Sequence, residues 1–480
     1  MPDNGVILDN HLEEHHDHET IYFPSGFLWG ASTSAYQVEG NNTNADWWYW
    51  EQTHQPPEKW SGQACDQYNR YEQDFDLAKQ LGHNAHRLSI EWSRIEPKEG
   101  EFNQAEIDHY KKVLKSLKDR ELTVMLTLWH FTLPKWVADK GGWESGQTPQ
   151  FFERFVKRIV PEIGVFVDFW ITLNEPGVYI YETYIERAWP HSKKSWIGQA
   201  KTFLNLTSAH KKAYKYLHSV YPVGKPVGIA NNILSFESYH KHSVTEQVAV
   251  SLNDLFANHL FYFFTHGTHD FLGINYYFHV RFRSGSFIAE RRDMMQTHDI
   301  SDMGWEVYPE GIYQVLTDLA DDIPIYITEC GIASTNDDRR NRFLISYLQE
   351  VARAIKGGVN VRGFFYWSLL DNFEWHLGFE PRFGLVEVDY EVLAKEQELR
   401  KSTTSPYKTQ SRKIRPSALV YKDIIQNNGI PHSLLRFIGH TVRAEEVLEK
   451  RSKETEKEMI QPEVLGKGQK EIPEETEKTA

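Results

Sequence analysis

Between residues 21 and 432 the chain alternates short apolar runs with longer amphipathic stretches. The runs are FLWGAS (27–32), AHRLSIEW (85–92), TVMLTLWH (123–130), FWITLNEP (169–176), VGIANN (227–232), DFLGINYY (270–277), IPIYITE (323–329) and VRGFFYWSLL (361–370). Runs this continuous predict parallel strands buried on both faces. The first is the weakest strand, because glycine and small residues pack poorly in a sheet. The intervening stretches repeat apolar residues at the helical period. Tyr68, Tyr71, Phe75 and Ala78 do so ahead of Gly82, as do Ile107, Tyr110, Leu114 and Leu117, and later Phe343, Tyr347, Val351 and Ile355. Eight strands, each followed by a helix, predict an α/β fold closed as a (β/α)8 barrel. No linker-like stretch interrupts residues 21–432, so one domain is expected there.

Composition changes the picture mainly at the ends. Residues 1–20 are polar and acidic, with His11, His15, His16 and His18 among carboxylates but without the spacing of a structural metal site. Residues 433–480 turn to Lys and Glu, with no aromatic after Phe437. Both segments are expected to be solvated tails. Across the 480 residues, 14% aromatic content with 15 Trp excludes a wholly disordered chain. A net charge of −14 argues against nucleic acid as a partner. Two cysteines, Cys65 and Cys330, are too few for a disulfide framework and suit a reducing compartment. No apolar run reaches the roughly 18–20 residues that span a bilayer, and the N-terminus lacks a secretory pattern. A cytoplasmic protein with no membrane partner is therefore expected.

In such a barrel, chemistry gathers at the C-terminal ends of the strands. Strand two carries Arg87 and ends at Glu91-Trp92, and the following ends carry Trp129-His130, Asn174-Glu175, Asn231-Asn232, Asn275 to Tyr277, and Glu329. Strand eight carries Trp367 and leads into Asp371, Glu374 and Trp375, and Gln37 follows strand one. Indole faces pack on sugar C–H groups while amides and carboxylates bind hydroxyls, so this rim suits a pyranose. Glu175 and Glu329 supply the carboxylate pair that glycoside hydrolysis needs. Neither has a His or Asp set around it that would suit a metal ion.

From residue 21 to 430 the chain resembles glycoside hydrolase family 1, the retaining β-glucosidases and β-glycosidases. The resemblance rests on an ordered series: FPSGFLWGASTSAYQVEG, CDQYNRYEQDFDLAKQLG, RLSIEWSRIEP, LTLWHFTLP, GGW, TLNEP, DFLGINYY, YITECG and WSLLDNFEWHLGFEPRFGLVEVDY. It implies Glu175 as acid/base and Glu329 as nucleophile, with Arg87 and Tyr277 orienting Glu329. It also implies Gln37, His130, Asn174, Asn275 and Glu374 as sugar hydrogen-bonding groups and Trp367 and Trp375 as apolar walls. Trp92 and Trp143 read as structural.

The implied activity is that of an exo-β-glycosidase on terminal β-D-glucosides, with β-galactosides and β-fucosides as further candidates, and without metal or cofactor. The series departs from the family where Cys330 replaces the usual Asn after the nucleophile. It departs again in a short stretch over 233–270, and after NEP, where GVYIYETYIERAWP lacks the usual glycines. Side-chain alternation should point Cys330 away from Glu329. A 6-phospho-β-glycosidase would need a phosphate clamp at Glu374, Pro381 and Phe383; an anionic Glu374 is expected to repel it, and the other two cannot donate. A catalytically impaired sugar-binding homologue is the other alternative.

Overall fold

A computed structural model describes residues 20–283, 299–390 and 410–438. Eight parallel strands close into a barrel: β1 Leu28–Ser32, β2 Ala85–Ser89, β3 Thr123–Thr127, β4 Phe169–Asn174, β5 Val227–Asn232, β6 Phe271–Asn275, β7 Ile325–Cys330 and β8 Val361–Trp367. Each lies within or overlaps its apolar run, and β8 pairs with β1 to complete the ring. The outer helices are α1 Gln67–Gln80, α2 Gln104–Asp119, α3 Thr148–Ile163, α4 Trp196–Val220, α5 Val244–Asp254, α6 Pro309–Asp318, α7 Asp337–Lys356 and α8 Pro416–Asn427. The three helical periods seen in the sequence fall on α1, α2 and α7.

Local chemistry sets several of these starts. Asn103 accepts from the Ala105 amide at the head of α2, and Asn336 accepts from the Asp338 and Arg339 amides at the head of α7. Such caps satisfy backbone donors that a first turn leaves open. Helix α7 also carries Asp337 and Asp338 in its first turn and Arg353 and Lys356 in its last, matching the helix dipole.

Two packing layers hold the barrel. Ala85, Met125, Ile171, Ala230, Phe271, Tyr326 and Phe365, one from each of β2 to β8, form an apolar plug near the N-terminal ends of the strands. Larger clusters fill the space between strands and helices. The plug seals the floor, leaving the C-terminal ends as the open mouth.

The packed chain runs past residue 432, where a tail was expected to begin. Residues His432–Phe437 form a turn of 3-10 helix that buries Leu434 against the main core, with Leu435, Phe437 and Ile438 beside it. Leu434 opens the short apolar run LLRFI (434–438), which lies just beyond the boundary read at 432. The expected tails otherwise fall on residues 1–19 and 439–480, outside the described residues.

Candidate active site

Strand β4 ends at Asn174, and the next residue, Glu175, takes a left-handed conformation (φ 43°, ψ 59°) before Pro176 opens a short helix. That backbone region is rarely used by residues other than glycine, and less still before proline. The turn is held by the Glu175 amide, which donates to the Ala230 carbonyl at 2.7 Å. Across the mouth, β7 breaks register with both neighbours between Ile327 and its last two residues. This irregularity lets Thr328 and Glu329 both contact groups within the barrel. Glu329 stands beside Asn275 in the β6 ladder, and its carbonyl accepts from the Tyr276 amide at 2.9 Å.

Each carboxylate has its own set of donors. Arg87 on β2 forms a buried ion pair with Glu329 Oε1, and the Tyr277 hydroxyl donates to Oε2 at 2.5 Å. The other arm of Arg87 donates to Asn174 Oδ1 at 2.6 Å. Glu175 is held by amides instead: Asn275 Nδ2 donates to its Oε1 at 2.8 Å and Asn232 Nδ2 at 3.4 Å. The Thr328 hydroxyl donates to Asn275 Oδ1 at 2.6 Å, which fixes the amide with its NH2 toward Glu175.

Burial, then the charge on Glu329, pushes the Glu175 carboxyl up to about 8. The Tyr277 phenol is raised well above its usual range by burial and by the Glu329 charge, so it stays a donor. Burial and the nearby Arg87 hold the His130 imidazole well below its usual value, hence neutral.

Glu374 corrects an expectation. Burial, followed by the charges of Glu329 and Glu175, raises its carboxyl to about 8, so near neutrality it is an acid rather than the anion inferred from sequence. A neutral Glu374 would repel a phosphorylated sugar less than the anion would. Pro381 and Phe383 still offer no donor there, and Phe383 is buried against Trp367.

The remaining sequence candidates gather around the same mouth. Gln37 is buried, with its Oε1 accepting from Ser34 and its Nε2 donating to the Phe373 carbonyl at 2.8 Å and to Glu374 at 3.4 Å. The His130 ring lies nearly parallel to both Trp367 and Trp375, 6.2 Å from each. Its Nε2 faces the Asn174 amide at 3.3 Å, while Nδ1 has no hydrogen-bond partner. Trp367 packs with Tyr277, Trp305 and Phe383; Trp375 stacks on Tyr36.

Other strand-end residues turn away. Glu91 accepts from Ser93 and Thr132, and Asp371 pairs with Arg415 behind the mouth. Asn232 was read from the sequence as a rim residue without a role of its own, and Thr328 was not singled out. Asn232 had a visible cue in its strand-end position, whereas Thr328 sits within an apolar run and had none. Cys330 points into the strand–helix core, as alternation predicted, and burial raises its thiol well above the usual value. Among the described residues, only Asp254, His259 and Asp318 are close enough to share a metal ion, and they lie on the outer helical layer. No described helix is long and apolar enough to cross a membrane.

Comparison with known proteins places this arrangement in context. The model of glycosyl hydrolase family 1 matches residues 19–266 and 261–430. A 1,4-beta-D-glucan glucohydrolase of Thermotoga neapolitana is 30% identical over 461 residues, covering 85% of this chain and 99% of that protein. Beta-glucosidase A of Acetivibrio thermocellus is 31% identical over 466 residues, covering 85% of this chain and 99% of its own. Among solved structures, a beta-glycosidase from Pyrococcus horikoshii superposes with a TM-score of 0.76 at 35% identity, covering 87% of this chain and 98% of that one.

Proposed function

Because the chain belongs to glycosyl hydrolase family 1 and is a β-glucosidase-like glycoside hydrolase, we propose that it is a retaining exo-β-glycosidase that releases terminal β-D-glucosyl residues. The observation that carries this reading is the unequal treatment of two buried carboxylates at one mouth. Glu175, held by amides and raised to about 8, is protonated at neutral pH. Glu329 is the member paired to a guanidinium. One acid and one paired carboxylate are the two roles of a double displacement.

The terminal sugar would lie against Trp367 and Trp375, with Gln37, His130, Asn174 and Glu374 at its hydroxyls. Asn275, grouped with the sugar ligands by resemblance, has its amide committed to Glu175 and Thr328, and is proposed instead to hold the acid. In the first step Glu175 donates its proton to the glycosidic oxygen as Glu329 attacks the anomeric carbon. The aglycone leaves as an alcohol and a glycosyl ester forms on Glu329. Esterification removes the negative charge that helped raise Glu175, so the acid/base, now ionised, can take a proton from water. That water attacks the anomeric carbon, breaks the ester and restores both carboxyl groups.

Hydrolysis of an aryl β-glucoside followed by proton NMR tests the proposal. The β-anomer of glucose should appear first, and early release of the α-anomer would overturn it, since that outcome requires direct attack by water.

A further inference from the structure

Helix α5 continues without a break through Leu255–His259 and Leu260–Phe264, giving a rod about 30 Å long on the outside of the barrel. Its solvent side is unlike that of an ordinary surface helix, which carries charge opposite its apolar stripe. No exposed residue between 244 and 264 is charged. Glu246 is buried, and Asp254 and His259 pair with each other, His259 also with Asp318. Beside the uncharged Thr245, Gln247 and Ser251, what faces outward is a ridge at four-residue spacing: Val244 at 71% exposure, Val248, Leu252, and Phe256 at 62%. Leu255 and Phe263, the latter 75% exposed, widen it.

We propose that this helix is the interface of a two-fold homodimer. Three observations favour a second copy over other occupants. The exposed apolar side chains of the rod offer on the order of 800 Å², about what each partner contributes to a stable interface of standard size. Loss of charge with retention of aromatics is the signature of an interface core, whereas a helix seated on an anionic membrane carries Lys or Arg along its polar face.

The ridge is also graded, small valines at one end and larger Leu and Phe at the other. An antiparallel two-fold about Leu252 sets Val248 against the partner's Phe256 at both ends, so large fills against small. Ridges at four-residue spacing interdigitate in this way when two helices cross, and a two-fold interface must be complementary to itself. The interface braces the strand Ser235–Ser238, against which α5 packs just beyond Asn232.

Sedimentation velocity on the full chain decides it, with far-UV circular dichroism and thermal melting as checks of folding. The parent protein should sediment at twice its chain mass at micromolar concentration. Val248→Lys and Phe256→Glu should each give a folded monomer. The double variant V248K/F256E should recover the dimer, because each Lys then faces a Glu across the axis. A parent protein that is monomeric, including one that binds phosphatidylglycerol vesicles as a monomer, would overturn the proposal. So would a dimer that survives both single substitutions, or a double variant that stays monomeric.

Discussion

Glu175 illustrates how much a single side chain owes to what surrounds it. Its carboxyl is raised chiefly by burial and secondly by Glu329, and is lowered in part by the Asn275 amide. Activity should therefore fall as pH rises through about 8, where the acid loses its proton. In Asn275→Ala the loss of a donor to Oε1 leaves the carboxylate less favoured, so the alkaline limb of kcat/KM should move upward; a downward move would refute that role. Glu175→Gln should lower turnover of a poorly activated β-glucoside about 10²–10⁴-fold. It should spare the glycosylation of Glu329 by a dinitrophenyl glucoside, whose leaving group needs no proton. Glu329→Gln should abolish turnover of both substrates. Both carboxylates were legible in the sequence because they sit at the ends of readable strands, whereas Arg87, in the middle of β2, was placed beside Glu329 only by the resemblance. The protonation of Glu374 was not, because it depends on burial and on the proximity of two other carboxyl groups that the fold alone brings together.

At the level of elements, the barrel strands could be read because burial on both faces removes the alternation that polar neighbours would impose. Their ends were read too long. AHRLSIEW and FWITLNEP run on into rim residues that serve the mouth, whereas the ladders stop at Ser89 and Asn174. The small parallel sheet of Ser235–Ser238 and His279–Phe282 went unread, since its strands are short, polar and far apart in sequence. The junction of β7 and β8 is the most demanding contact. A Cβ on Gly331 would lie 1.8 Å from the Trp367 carbonyl oxygen, a backbone atom that cannot yield by rotating a side chain. Gly331→Ala should thus push apart the ends that carry Glu329 and Trp367. The expected cost is about 1–3 kcal/mol or more in denaturant unfolding, together with a fall in kcat. An unchanged midpoint and rate would show that the two strands separate freely.

For the molecule as a whole, buried ionisable groups set opposing limits on stability with pH. Glu175 and Glu374 rise to about 8, and the buried Glu51 and Glu91 to about 7, from an ordinary value of 4.5, all chiefly through burial. The unfolded chain releases these protons above 4.5 while the native state keeps them, so their stabilisation is whole below that pH and is lost as pH rises toward 7–8. Each costs about 1.4 kcal/mol per pH unit until it ionises in the native state. The buried His83 and His86 work in the other direction. Burial lowers both from 6.5 to about 3, so the unfolded chain takes up protons below 6.5 that the native state refuses. Their stabilisation is present above 6.5 and is lost as pH falls toward 3. Between 4.5 and 6.5 the two sets oppose each other, four carboxyls against two imidazoles, which predicts a maximum in melting temperature near 4.5, a gentle decline up to 6.5 and a steeper one just above it. Glu374→Gln removes one carboxyl that would ionise, so the decline between pH 6.5 and 8 should be shallower than in the parent. Calorimetry across that range decides the matter: an equally steep decline in the variant would mean that Glu374 already carries its charge near neutrality.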